Sequence, residues 1–247
     1  MNFSEEINQY LKGKLFSNAL YVNFSPNKFL LQSRIKKISG IVKDKNIIHL
    51  GCADHLDLIE YKMKRGKWLH GLLIETTNQC IGIDINSEAI NYLKEKHNIP
   101  NIYCKNIEDD NDIEGILGDT KWDFLLLGEI IEHMNNPVAF LQHLHEKFKG
   151  KTDRIIITAP NVYNIFNAKK IRKNMEVINT DHRYWFSPYT LTKVVMESGF
   201  SDCDLCFVEH VKLPLITEVR KQIYKILKRP LYLNASYYST LVIVAKF

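Results

Sequence analysis

Short apolar runs recur along this chain, and each is followed by a stretch whose apolar positions fall at helical spacing. "NIIHLG" (46–51), "CIGIDI" (80–85), "NIYCKN" (101–106), "WDFLLLG" (122–128) and "DRIIITAP" (153–160) read as five buried strands. Between them, "KWLHGLLIETT" (67–77), "SEAINYLKEKH" (87–97) and "NNPVAFLQHLHEKF" (135–148) read as helices, and "SPYTLTKVVMESGF" (187–200) forms another after the fifth strand. Their ends carry stop and start signals. Ser87 is placed as a cap, Asn136 stands before a Pro137 at the first helical position, Ser187 and Pro188 repeat that start, and Gly199 is a helix stop.

The first 44 residues read as helical, with "FLLQSRIKKISGIV" (29–42) showing the clearest periodicity. The chain finishes differently from its middle. "SDCDLCFVEH" (201–210) and "STLVIVAKF" (239–247) are two strands separated by a segment holding the basic helix "TEVRKQIYKILKR". The alternation predicts an α/β fold: a Rossmann-like, doubly wound, seven-stranded and mostly parallel sheet with an antiparallel C-terminal strand. The expected organisation is a helical segment over 1–44 and one domain over 45–247, with 211–238 as a helical insertion before the last strand.

Composition narrows this further. A chain of 247 residues, 45% hydrophobic and 25% charged, has the balance of an ordinary folded soluble protein. No apolar run approaches the roughly 18 residues a membrane helix needs, and "MNFSEEINQY" lacks a secretion pattern. The expected location is the cytoplasm. Five scattered cysteines (Cys52, Cys80, Cys104, Cys203, Cys206) fit buried, reduced thiols. Cys203 and Cys206 have metal-motif spacing, but within a strand they face opposite sides. The net charge of +5 collects in "KMKRGK", "KKIRK" and "RKQIYKILKR", which read as solvated helix faces or as a weak attraction for anionic substrates. It is too small to indicate a nucleic-acid binder by itself.

In such a sheet the ligand belongs at the carboxyl ends of the strands, beside the switch point. After strand one comes "HLGCADHLD", where Gly51 alone remains of a glycine-rich pattern, so a pyrophosphate loop and a nicotinamide dehydrogenase are poorly supported. After strand two, the Asp84 carboxylate is placed either to accept both hydroxyls of a ribose or to cap the next helix. After strand three, Asn106 in "KNIEDD" could meet an adenine edge. Together these ends suit an adenosine-containing ligand without a pyrophosphate.

The succession "IIHLGCAD", "IGIDIN", "NIYCKNIEDD", "WDFLLLGEIIEHMNNP", "RIIITAPN" and "DHRYWFSPYTLTKVVMESGF" resembles the class I S-adenosylmethionine-dependent methyltransferases over about residues 46–210. That resemblance implies S-adenosylmethionine as cofactor and S-adenosylhomocysteine as product. It implies that Gly51, with Cys52 and Ala53, approaches the methionine part, that Asp84 holds the ribose, that Ile85 and Ile107 flank the adenine and Asn106 binds its edge, and that Gly128 completes the set. The chain departs from the family loop, which runs acid-x-Gly-x-Gly-x-Gly. Here His49 replaces the acid, and Ala53 and His55 replace the later glycines. The long stretch between Gly51 and Asp84, with "WLHGLL", resembles a branch linked to bacterial surface-glycan synthesis.

In "GEIIEHM", Glu129, Glu132 and His133 stand at i, i+3 and i+4, and a helical turn would put them on one face. Two close carboxylates repel unless a cation or a proton sits between them. Carboxylates with an imidazole suit magnesium or manganese, with His182 of "NTDHRYWFS" as a fourth donor from a long loop. The set is similar to the Glu-x-x-Glu-His plus distant His of the small-RNA 3′-terminal 2′-O-methyltransferases, and so implies a metal-assisted transfer. The alternative has no metal: Glu132 holds the turn, and His133 or His182 is the general base. Asp181 either orients His182 or caps the loop, Tyr184, Trp185 and Phe186 read as core or pocket wall, and His143 and His145 read as surface residues.

The expected function is methyl transfer to a small polar acceptor that carries sugar or phosphate, most simply O-methylation of a sugar, nucleotide-linked sugar or glycan precursor. RNA 3′-terminal 2′-O-methylation, N-methylation of a small molecule and a cofactor-binding module without catalysis are the alternatives. The acceptor is expected to be a small molecule; the sequence carries no evident RNA-binding extension, though its basic helices permit one.

Overall fold

A computed structural model describes residues 3–23, 31–109, 113–213, 215–227, 231 and 233–247. The strands are β1 (Asn46–Leu50), β2 (Gln79–Asp84), β3 (Ile102–Cys104), β4 (Trp122–Gly128), β5 (Thr152–Pro160), β6 (Ser201–His210) and β7 (Tyr238–Lys246). They form one seven-stranded sheet in the order β3-β2-β1-β4-β5-β7-β6. All neighbours from β3 to β5 run parallel, and β7 is antiparallel to both β5 and β6. The expected fold class is the observed one.

The helices are α1 (Glu5–Leu11), α2 (Arg34–Val42), α3 (Leu56–Lys64), α4 (Leu69–Thr76), α5 (Ser87–His97), α6 (Glu114–Leu117), α7 (Pro137–Phe148), α8 (Ile165–Ile171), α9 (Pro188–Glu197) and α10 (Leu215–Ile226). Of the N-terminal segment read as helical, α1 and α2 are helices, the described residues between them are not, and Phe29 and Leu30 lie outside the described residues. The single helix expected at 67–77 starts two residues later, and a separate α3 precedes it. Asn86, not Ser87, caps α5: its side chain accepts from the Ala89 amide at 3.1 Å, and Ser87 is the first helical residue. Both are good capping types, and the tie falls to the residue whose backbone is already extended. Asn136 and Ser187 cap α7 and α9, each followed by proline. The end of the C-terminal basic helix, Lys228 and Arg229, lies outside the described residues.

Strand residues alternate between two apolar layers, as sheet geometry requires. Ile48, Leu50, Leu125, Leu127 and Ile157 pack with Leu141, Leu144 and Phe148 of α7 and Leu191 and Val195 of α9. Ile47, Phe124, Leu126 and Ile156 pack on the opposite face with Ile38 and Val42 of α2 and Leu69 and Leu73 of α4. Covering both faces explains why β1, β4 and β5 read as nearly unbroken apolar runs rather than as alternation. Cys203 joins the first layer and Cys206 the second, so the pair faces opposite sides as expected. All five cysteines are free; Cys104 is exposed rather than buried, because β3 ends there at the sheet edge. Among the described residues no helix is long and apolar enough to cross a membrane.

Ser187 closes a reciprocal capping box, its hydroxyl accepting from Thr190 N while the Thr190 hydroxyl accepts from Ser187 N. It is buried where α9 leaves the loop that carries His182. Ser187→Ala is expected to cost about 1 kcal/mol, read as a lower denaturant midpoint at unchanged slope; a neutral result would show that water replaces the cap.

Candidate active site

Parallel strands end on one rim, and the strand order reverses between β1 and β4, so the chain leaves these neighbours in opposite directions. A cavity of about 570 Å³ opens there. Every residue expected at the cofactor end lines it: Gly51, Cys52, Ala53, Asp84, Ile85, Asn106, Ile107 and Gly128. Gly51 has φ +67°, a conformation that favours glycine, and a Cβ would meet Ile130 Cδ1 at 2.8 Å unless that side chain shifted. The Asp84 carboxylate receives the Ala53 amide on one oxygen and the Asn86 amide on the other, both at 2.9 Å. It therefore joins the β1 and β2 exits while keeping further acceptor capacity for a ligand. Burial raises its pKa, and the amide hydrogen bonds oppose that. The Ile107 carbonyl is gripped by His143 Nε2 at 3.2 Å and Lys147 Nζ at 2.8 Å, so His143 supports the cavity rather than standing on the surface. His145 is half-buried, its ring packed against Phe200 and Phe247.

The chain turns sharply after β4. Glu129 takes φ +60°, and its amide donates to the Thr158 hydroxyl at 3.0 Å; a single turn of 3₁₀ helix, Ile131–His133, follows. The regular α-turn expected here is replaced by this tighter path. Glu132, His133 and His182 offer ligand atoms that lie within 4.8 Å of one another. The Glu129 carboxylate instead pairs with Arg34 Nη1 at 2.9 Å. Arg34 opens α2 and also lines the cavity, a contribution that no motif or spacing signals.

His182 reaches the site because its loop is fastened to the turn. The Arg183 amide donates to the Glu132 carbonyl at 2.8 Å, the Arg183 guanidinium to the His133 carbonyl, and the Tyr184 hydroxyl to the Asn135 carbonyl at 2.8 Å. The rings of His133 and His182 meet edge to face at 4.7 Å. His133 Nδ1 sits 3.2 Å from the Asp181 carbonyl, which can only accept. Nδ1 therefore carries a proton, and in the neutral ring Nε2 is the nitrogen with the free lone pair. Asp181 thus orients His133 through its backbone, rather than His182 through its side chain.

Glu132 is the electrostatic oddity. It is fully buried, neither carboxylate oxygen has a hydrogen-bond partner among the described residues, and His182 Nε2 lies 3.9 Å from Oε1. Burial pushes its pKa up to about 8, with Glu129 adding to the rise. Burial and His133 hold His182 below its ordinary value, favouring a neutral ring, and its Nδ1 is buried without a partner. A desolvated carboxylate of this kind is stabilised by a proton or by a cation. A carboxylate with two neutral imidazoles is also a donor set that fits a divalent ion.

A second histidine pair forms the cavity floor. His49 Nδ1 lies 3.2 Å from Nδ1 of His70, and both rings are buried. His70 packs above Gly82, where any Cβ would meet its ring at 2.7 Å, and beside Trp68. One ring must donate and the other accept, so the accepting ring is neutral, and burial disfavours a charge on either.

The sequence matches the family described as a methyltransferase domain over residues 27–204, so the chain belongs to that family. Its fold is also that of solved S-adenosylmethionine-dependent methyltransferases. One from Archaeoglobus fulgidus is 18% identical, with a TM-score of 0.51 over 87% of this chain and 91% of that one. A possible histamine N-methyltransferase from Thermotoga maritima is 12% identical, with a TM-score of 0.56 over 87% of each chain. The small RNA methyltransferase HEN1 is 16% identical, with a TM-score of 0.56 over 94% of this chain and 27% of that much longer one. Among curated proteins none matches the sequence.

Burial holds His49 well below its ordinary value and brings His70 down to about 4. The unfolded chain binds protons on both from about pH 6.5 downward while the folded protein refuses them, so stability rises with pH across that window. It is fully present above that range and falls as the pH drops toward 4. Acid titration of the unfolding free energy should show a loss on the order of 3 kcal/mol for His70, with His49 adding to it in the same direction. His70→Leu should flatten that slope, and parallel curves for the two proteins would contradict the assignment.

Proposed function

We propose that this protein transfers a methyl group from S-adenosylmethionine to a hydroxyl of a small polar acceptor, such as a sugar, nucleotide-linked sugar or glycan precursor. The observation that carries the reading is Glu132: a buried, unpartnered carboxylate beside His133 and His182, the two histidines that line the same cavity as Gly51 and Asp84.

The residues fit the cofactor. Asp84 would accept the ribose hydroxyls on the lone pairs its two amide contacts leave free. Ile85, exposed on the cavity wall, and Ile107 would flank the adenine, with Asn106 at its edge and Gly128 beneath. Gly51 lets the main chain come close to the methionine part. The bound sulfonium supplies an electrophilic methyl carbon.

The residues also fit a divalent ion such as magnesium or manganese. Glu132, His133 and His182 would hold it, with Glu129 able to join by leaving Arg34. Such an ion, when bound, lowers the pKa of a coordinated hydroxyl and replaces the proton that Glu132 otherwise keeps. The protein's own part is to orient. The Asp181 carbonyl fixes the tautomer of His133, and the Arg183 and Tyr184 contacts hold His182 over the turn. Without a metal, the Nε2 lone pair of His133 is the base within reach of an acceptor hydroxyl.

RNA 3′-terminal 2′-O-methylation is the second reading. It is favoured by the same Glu132, His133 and His182 set, and by the likeness of fold to the small RNA methyltransferase HEN1. A vicinal diol is common to a sugar acceptor and an RNA end, so the site chemistry serves both.

The test is S-adenosylhomocysteine release with activated sugars, polyols, phosphorylated acceptors and short RNAs, before and after chelation. A sugar-type acceptor is expected to give turnover that falls with chelator and returns with magnesium or manganese. Glu132→Ala should lower it by about 10²-fold or more, while Asp84→Asn should weaken cofactor binding first. Unchanged turnover in chelator would remove the ion and leave His133 as base; a periodate-resistant RNA end would move the acceptor to RNA.

A further inference from the structure

Helix α10 is docked the wrong way round for an ordinary surface helix, whose apolar stripe faces the core. Here Thr217 is buried and Tyr224 packs against the core, so the polar and aromatic side of the helix faces the protein. Leu215, Ile216, Val219, Ile223, Ile226 and Leu227 are all exposed, Leu215 by 82% and Ile226 by 79%. At 100° per residue these six fall on one continuous arc pointing away from Thr217 and Tyr224. Arg220 borders the arc on one side; Gln222 and Glu218 border the other, with Lys225 just beyond them.

The charge says what covers this face. Residues 212–229 contain six Lys or Arg and one Glu, which equals the net charge of the entire chain, +5. An apolar arc on a strongly basic segment suits an interface that is apolar below and anionic above. The apolar side chains enter the acyl boundary, and the Arg and Lys stems reach the headgroups. A second copy of the chain would bring two segments of net charge +5 together, which is unfavourable. We infer that α10 is an amphipathic helix that seats the enzyme in the plane of an anionic lipid membrane. The inference is independent of which acceptor the active site takes.

The test is flotation of the full chain with phosphatidylcholine vesicles, with and without phosphatidylglycerol. The protein is expected to float with the anionic vesicles and to be partly released by salt. Val219→Glu with Ile223→Glu should abolish flotation. Replacing Arg220 or Lys225 by Gln should weaken partitioning about fivefold for each residue removed. All these positions are exposed, and unchanged melting and cofactor binding would show that the variants fold. Failure to float with anionic vesicles overturns the inference, as does equal flotation of the double Glu variant. So does a concentration-dependent dimer that this variant dissolves in the absence of vesicle binding, since the cover would then be a second copy.

Discussion

The reversal of strand order between β1 and β4 is the constraint on which the remainder rests. Because the chain departs from these neighbouring strands toward opposite faces, the rim between them cannot be closed by its own connections. What fills the gap is a set of strand-end residues. Gly51 keeps the first exit flat, Asp84 joins it to the second through the Ala53 and Asn86 amides, and the left-handed Glu129 bends the exit of β4 into a tight turn. The cavity and the Glu132 cluster are two ends of one geometric consequence.

The polar groups at this rim are held neutral or nearly so by burial, in two distinct ways. His49 and His70 satisfy each other, forming a floor that prefers no added charge. Glu132 has no such partner; its carbonyl is used to anchor the His182 loop while its carboxylate is left bare. A fold rarely leaves both oxygens of a buried carboxylate unanswered unless they meet something during function. Arg34 supports this division of labour by drawing off Glu129, whose charge would otherwise stand beside Glu132 undiminished.

Much of this was readable from residue order because the signals are local. Five parallel-type apolar runs, the Asn136–Pro137 and Ser187–Pro188 starts and the acid closing β2 each carry their own physics. The positions of Asp84 and Asn106 on the cavity followed from the rule that strand ends line the ligand site, and His182 lies on a long loop able to return over them. What escaped was non-local or degenerate. Arg34 lies 95 residues from Glu129, and no spacing links them. Asn86 and Ser87 are both capping types, and only backbone conformation separates them. The Glu-x-x-Glu-His spacing suggested a regular helical face, but the positive φ of Glu129 turns its carboxylate toward Arg34. The basic segment after β6 read as a solvated face, yet periodicity cannot say which side of an amphipathic helix the protein takes, and α10 keeps its polar side.

The central claim is that an adenosyl ligand spans this rim from Asp84 to the Glu132 cluster. A crystal structure with bound S-adenosylhomocysteine tests it most directly. The account predicts both ribose hydroxyls within hydrogen-bonding distance of Asp84, adenine between Ile85 and Ile107, and the sulfur directed toward Glu132 and His133. Ligand density elsewhere on the protein, or an Asp84 carboxylate turned from the sugar, would contradict it.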